Sequence, residues 1–186
     1  MSQGKLFYVI GASGVGKDSL LRYARSHLQQ SVVFAHRYIT RPVELTGENH
    51  IELSEAEFLT RQQAGCFKFY WQAHGLNYGL GVELDDWLQR GLSVVMNGSR
   101  AYLNTACDLH PNIVPVLIKV DTQVLKSRLE ARGRESAEEI SHRLERAKDF
   151  DCLEHPNLLM VENNQPLELS GDIFVAQIQR YLTHHL

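Results

Sequence analysis

The stretch Gly11-Ala12-Ser13-Gly14-Val15-Gly16-Lys17 constrains this chain more than any other, because of what flanks it. The apolar run Leu6-Phe7-Tyr8-Val9-Ile10 precedes it and Leu20-Leu21-Arg22-Tyr23-Ala24 follows it, so the order reads strand, glycine loop, helix. Glycines at 11, 14 and 16 let the backbone turn with positive φ and leave amide N–H groups pointing into a concavity. The helix N-terminus adds partial positive charge there, and Lys17 adds a full charge that reaches the outer phosphates of a triphosphate. The next position calls for a Ser or Thr hydroxyl directed at Mg²⁺, but the chain has Asp18, with Ser19 one step on. Gly11 through Ser19 are therefore candidates for ATP binding, and Asp18 is the candidate metal ligand. A carboxylate there binds the ion more strongly than a hydroxyl but brings negative charge near the triphosphate.

The chain has 186 residues, 44% of them hydrophobic, which suits one folding unit with one substantial core. Nineteen basic residues stand against 22 acidic ones, a net charge of −3, so there is no general attraction to nucleic acid or an anionic membrane. Phosphate binding must come from locally placed cations, and the expected partner is a small phosphorylated molecule. Cys66, Cys107 and Cys152 are widely spaced and odd in number, which argues against a disulfide framework or a zinc site and fits a reducing cytoplasm. No basic-then-apolar leader and no membrane-length apolar run is present, so the chain reads as soluble.

Apolar runs at 6–10, 32–35, 92–96, 113–120 and 158–161 predict five buried strands. Helical spacing between them predicts helices over 18–29, 54–64, 82–89, 122–131, 137–149 and 170–183, with Ser54 capping the second and Glu57 three residues on. That alternation predicts an α/β fold: a doubly wound parallel sheet with ligands at the carboxyl ends of its strands. The segment from about 36 to 81 is too long for a simple crossover and contains Gly47, Gly65, Gly75, Gly79 and Gly81, which predicts a small lobe over the sheet edge.

Within that lobe Arg37 and Arg41 follow a strand, in a place that faces the phosphate loop if the sheet is doubly wound. There they form a candidate clamp for an acceptor phosphate. Two solvated surface arginines are the alternative. His74 through Gly81 place Tyr78 among glycines, as in a polar ligand wall or a plain turn. Arg128, Arg132, Arg134 and Arg143 span a helix end, the break at Gly133 and the next helix, the pattern of a lid that delivers cations to a moving phosphoryl group. The interleaved Glu130, Glu135, Glu138, Glu139 and Glu145 also permit a salt-bridged helix face, the preferred reading for Arg146. Asn97-Gly98-Ser99-Arg100 after the third strand offers groups suited to hydroxyls and phosphates instead of base amino groups.

Taken together these motifs resemble the guanylate kinase family over nearly the whole chain. Gly11–Lys17 resembles its G-P-S-G-V-G-K loop, Thr40-Arg41 its acceptor clamp, Gly47-Glu48-Asn49-His50 its G-x-x-Y turn, Gly75–Gly79 its G-N-Y-Y-G, and Arg128–Arg143 its lid over about 131–139. The resemblance implies a P-loop NTPase fold. Departures fall where the family reads guanine: the glutamate position is Phe69, the D-I-D after the third strand is Asn97-Gly98-Ser99, and the tyrosine of G-x-x-Y is His50. A second clamp arginine is also missing. Loss of both carboxylates removes the acceptors for guanine N–H groups, a discrimination on the order of 10⁴-fold. These departures resemble the ribose 1,5-bisphosphate phosphokinases of phosphonate breakdown, whose N-G-S-R matches Asn97–Arg100. That resemblance implies ATP, Mg²⁺ and a phosphorylated sugar. Lys17 and the lid arginines are then catalytic, Arg37, Thr40, Arg41, His50, Tyr78, Asn97, Ser99 and Arg100 bind the acceptor, and Asn163 or Asn164 contacts adenine. A nucleoside monophosphate kinase of altered base preference, or a catalytically silent interaction module, are the alternatives.

Overall fold

The computed structural model describes residues 3–28, 32–43, 48–133, 135–148 and 153–184. Gly47, Arg134 and Cys152, singled out above, lie outside the described residues, as do the predicted helix ends at 29 and 149. The elements in chain order are β1 (Leu6–Ile10), α1 (Lys17–His27), β2 (Val32–Phe34), β3 (Tyr38–Ile39), β4 (Ile51–Glu52), α2 (Glu55–Gln63), β5 (Phe67–Ala73) and β6 (Leu76–Gly81). They continue with α3 (Glu83–Gln89), β7 (Ser93–Asn97), α4 (Leu103–Leu109), β8 (Ile113–Lys119), α5 (Thr122–Arg132), α6 (Ala137–Lys148), β9 (Leu159–Glu162) and α7 (Leu167–His184).

Five parallel strands form one sheet in the order β2-β7-β1-β8-β9. Every residue of β1 and β7 is buried, and so are all of β8 but its last, which is why these strands read as unbroken apolar runs instead of alternating ones. The chain divides into two compact units, Met1–Phe7 with Gln30–Ile113 and Tyr8–Gln29 with Val114–Leu186.

The first unit holds a second sheet, of four strands in the order β4-β3-β6-β5, that the apolar runs do not announce. β5 and β6 are an antiparallel hairpin closed by two residues with positive φ, His74 at 52° and Gly75 at 73°, the backbone a two-residue type I′ turn requires. Phe67 and Phe69 are buried, and the Phe67 ring covers β6 so closely that a Cβ on Gly79 would lie 2.8 Å from it. Leu53, Phe58 and Phe67 make a local core with Tyr38 against it. α2 begins as predicted, the Ser54 hydroxyl accepting from the Glu57 amide at 3.2 Å. α4 was not foreseen: it has seven residues, only Leu103 and Ala106 of them buried, too few to establish a period.

The second unit packs α1 and α7 side by side, with Leu20, Ala24, Phe174 and Ile178 buried. In α6 a reciprocal capping box forms. Glu139 N–H donates to the Ser136 hydroxyl at 3.2 Å and the Glu139 carboxylate accepts from the Ser136 N–H at 2.7 Å. Those bonds, with Arg143 nearby, hold the Glu139 carboxyl below its ordinary range. No helix among the described residues is long and apolar enough to cross a membrane.

Candidate active site

The predicted phosphate loop and lid arginines lie in the second unit. Gly14 and Gly16 adopt φ of 95° and 90°, and α1 starts at Lys17 without a side-chain hydrogen bond from its cap residue, Gly16. Lys17 Nζ donates to the carbonyls of Gly11 at 2.7 Å and Ala12 at 3.3 Å, which holds the ammonium along the loop. From α6, Arg143 Nη1 donates to the Ser13 hydroxyl at 2.9 Å while Nη2 pairs with Glu135 Oε1 at 2.8 Å. Arg143 is thereby held on the loop by a carboxylate behind it. Arg132 is exposed in the last turn of α5, before the left-handed cap Gly133.

Arg128 sits differently from a lid cation. It donates to two backbone carbonyls, Nη2 to Asn163 at 2.8 Å and Nη1 to Val15 at 3.5 Å. Burial, then the neighbouring Arg132, pull its guanidinium below the ordinary value. Asn163 is buried and donates from Nδ2 to the Val15 carbonyl at 2.6 Å. Asn164 instead accepts from the Asp121 N–H at 2.8 Å and lines a cavity of about 350 Å³, together with Ala12, Lys119, Thr122 and Leu144. Of the two asparagines, only Asn164 lines that cavity.

Asp18 and Ser19 are both exposed on the first turn of α1. Among the described residues no group of three or more His, Cys, Asp or Glu is gathered to hold a metal. One carboxylate beside a phosphate loop suits Mg²⁺, which binds through one or two carboxylates, substrate phosphates and retained waters.

The residues predicted to bind the acceptor lie in the first unit. The Arg37 guanidinium lies 4.9 Å from the Tyr78 ring centre and 6.0 Å from that of Trp71. It pairs bidentately with Glu48, Nε donating to Oε1 at 2.7 Å and Nη2 to Oε2. His50, buried, places Nδ1 2.9 Å from the Glu48 carbonyl and Nε2 2.9 Å from that of Arg41. Arg41 itself is half-buried, and its Nε is buried without a hydrogen-bond partner. A buried donor left in that condition costs free energy that an anionic ligand would recover. Thr40 Oγ1 accepts from the Asn77 N–H at 2.9 Å, tying β3 to the hairpin.

Trp71 and Tyr102 were missed from sequence. Trp71 stacks on Tyr78 with centroids 5.6 Å apart and planes 3° apart, and on Tyr102 at 5.5 Å. Tyr102 comes two residues after Arg100, so the segment after β7 reaches this aromatic tier through Tyr102. Asn97 is buried at the end of β7, and Ser99 and Arg100 are half-buried after it. Phe69 is fully buried and meets Tyr102 edge-on, with centroids 6.4 Å apart. The spacing of Phe69 and Trp71 was the available signal for this tier; a bulge between Phe67 and Phe69 puts Phe67 with the other core.

Loop amides, an adjacent lysine and an arginine bonded to the loop serine are the means by which a P-loop kinase holds a transferring phosphoryl group. No protein-family model matches the chain. A guanylate kinase from Anaplasma phagocytophilum shares the fold with a TM-score of 0.68 at 14% identity, over 97% of this chain and 87% of that one. Two proteins named ribose 1,5-bisphosphate phosphokinase PhnN are far nearer in sequence. The one from Psychromonas ingrahamii is 60% identical over 96% of this chain and 91% of its own length, and the one from Thiobacillus denitrificans 51% identical over 94% and 93%. The chain belongs to the ribose 1,5-bisphosphate phosphokinase family.

Proposed function

We propose that this chain transfers the γ-phosphoryl group of ATP to the 1-phosphate of ribose 1,5-bisphosphate, giving 5-phosphoribosyl 1-diphosphate and ADP, in phosphonate breakdown. The observation that carries this reading is 60% identity to a ribose 1,5-bisphosphate phosphokinase across nearly the whole chain. The site's chemistry agrees with it. Loop amides of Gly11–Gly16 and Lys17 hold the β and γ phosphates, and the cavity lined by Asn164 takes the nucleoside end of ATP. Asp18 and Ser19 would hold a magnesium ion, which when bound would neutralise phosphate charge.

An oxygen of the acceptor 1-phosphate attacks the γ-phosphorus, the bond from that phosphorus to the β,γ-bridging oxygen breaks, and ADP leaves. The acceptor phosphate is already dianionic at neutral pH, its second pKa being about 6, so no side chain need remove a proton. Arg132 and Arg143 stabilise charge on the transferring group. Arg37, Arg41 and Tyr78 grip the acceptor phosphate, His50 braces the backbone of Glu48 and Arg41 beside them, and Asn97, Ser99 and Arg100 take the ribose and second phosphate. Thr40 holds the segment after β3 that carries Arg41.

A nucleobase acceptor finds little here to read it, because the Phe69 side chain is carbon only and fully buried. ADP release measured with ribose 1,5-bisphosphate beside GMP, AMP and UMP, with the product identified by phosphorus NMR, tests the assignment. Turnover with the bisphosphate alone is expected. Preferential turnover of any nucleotide overturns it, and ATP binding without turnover on any acceptor points to a silent module.

A further inference from the structure

We infer that Asn163 and Arg128 are positioning residues that fix the direction of one phosphate-loop amide, and that neither acts by touching the nucleotide. This rests on reading Gly11–Ser19 as the donor-phosphate site, not on the identity of the acceptor. Asn163 follows β9, where its own N–H donates to the Lys119 carbonyl at 2.8 Å, so its backbone is fixed at the end of the sheet. Its side chain is then committed: Nδ2 donates to the Val15 carbonyl at 2.6 Å, and only 4% of the residue is exposed. Arg128 forks across the carbonyls of Asn163 and Val15, joining the loop to the end of β9.

The consequence follows from peptide geometry. The Val15–Gly16 peptide is planar and trans, so the Val15 C=O and the Gly16 N–H point in opposite directions. Holding that carbonyl against Asn163 turns the Gly16 N–H away from Asn163. Gly16, at φ 90°, has few steric barriers to peptide rotation and needs such a restraint. The restraint also fits no other residue: a Cβ on Gly16 would lie 2.6 Å from Asn163 Nδ2. An anion nest works only if successive N–H groups converge, so one reversed peptide would replace a donor with a carbonyl oxygen facing a phosphate.

The test uses the full chain and a probe without a base, inorganic tripolyphosphate, beside ATP. Binding is measured by calorimetry with Mg²⁺ for wild type, Asn163→Leu and Arg128→Lys, the last keeping the charge but not the fork. Both variants are expected to lose about tenfold in affinity, by the same factor for tripolyphosphate and ATP. In the ligand-free protein the Gly16 amide resonance should shift or broaden in both, a change that loss of a direct ligand contact would not cause. Weakened ATP with undiminished tripolyphosphate would place Asn163 on adenine and overturn the inference. So would an unmoved Gly16 resonance. Should Asn163→Leu fail to fold, Arg128→Lys decides by the same two readouts. Wild-type protein that binds tripolyphosphate but ignores ribose 1,5-bisphosphate overturns the acceptor assignment alone.

Discussion

On the proposed reading, the donor and acceptor halves bind the same kind of charge by different means. The donor ligands in the second unit would be mainly backbone N–H groups, and the side chains around them restrain the loop: Arg143 on Ser13, Asn163 and Arg128 on Val15. The acceptor ligands in the first unit would themselves be side chains, and other side chains aim them: Glu48 and the Tyr78 ring hold Arg37. A backbone nest has its entropy cost met by the fold and suits any polyphosphate. A constellation of side chains is discriminating, because a shift in one residue changes what fits.

Lys17→Met should separate the halves most sharply. Removing the full charge beside the loop is expected to lower kcat about 10³-fold, an effect of about 4 kcal/mol on the transition state, with the KM for the acceptor unchanged. Steady-state ADP release with each substrate varied in turn measures it. A matching rise in acceptor KM would mean that the halves do not act separately.

Phe69→Glu probes the acceptor half from beneath. The position is fully buried, so an unpaired carboxylate there should cost about 3 kcal/mol of stability, or take up a proton to avoid it. A urea titration is expected to show a lower midpoint and no new GMP turnover. A stable variant that phosphorylates GMP would show that a single carboxylate separates the sugar bisphosphate from the nucleotide, sharpening the contrast with the donor half.

Arg41→Ala is next in size. Loss of the cation whose Nε is buried without a partner should raise the acceptor KM about 100-fold, equivalent to about 2.7 kcal/mol, and leave ATP affinity as it was. Because lysine lacks the planar fork, Arg41→Lys should recover only part of that loss. Calorimetry with ATP and kinetics with the bisphosphate separate the two effects.

The same contrast explains how much of the molecule was legible in its sequence. The inner strands β1, β7 and β8 were visible because buried strands are continuous apolar runs, the partly exposed edge strands β2 and β9 were visible as shorter apolar runs, and the predicted donor loop was visible because a nest demands glycine at fixed spacing. The four-stranded sheet was not. Its strands β3 and β4 have two residues each, and β6 carries Gly79 and Gly81, which carry no strand signal although Gly79 is required beneath the Phe67 ring. Arg37 and Arg41 could be picked out by charge, but Glu48, Trp71 and Tyr102, which orient this half, come from separate segments with no periodic link. Asn163 was visible as a residue, and its partner was not: nothing in a linear string pairs it with the Val15 carbonyl, 148 positions away.

The smallest effect concerns His110, which caps the end of α4. Burial, then the Lys68 ammonium, hold the His110 imidazole below its ordinary 6.5, with Asp85 opposing them. Lys68 and Asp85 are themselves ion-paired at 2.9 Å. The unfolded chain takes up its proton near the ordinary value while the folded chain stays neutral to lower pH, so between those two values the unfolded state binds more protons and stability rises with pH. This contribution is fully present above 6.5 and is lost as pH falls through the folded value. His110→Gln should narrow the gap between urea midpoints at about pH 7.5 and 5.5, with ATP affinity at neutral pH unchanged. An unchanged gap would mean that the imidazole is as easily protonated in the folded chain as in the unfolded one, and that the acid sensitivity of the first unit originates elsewhere.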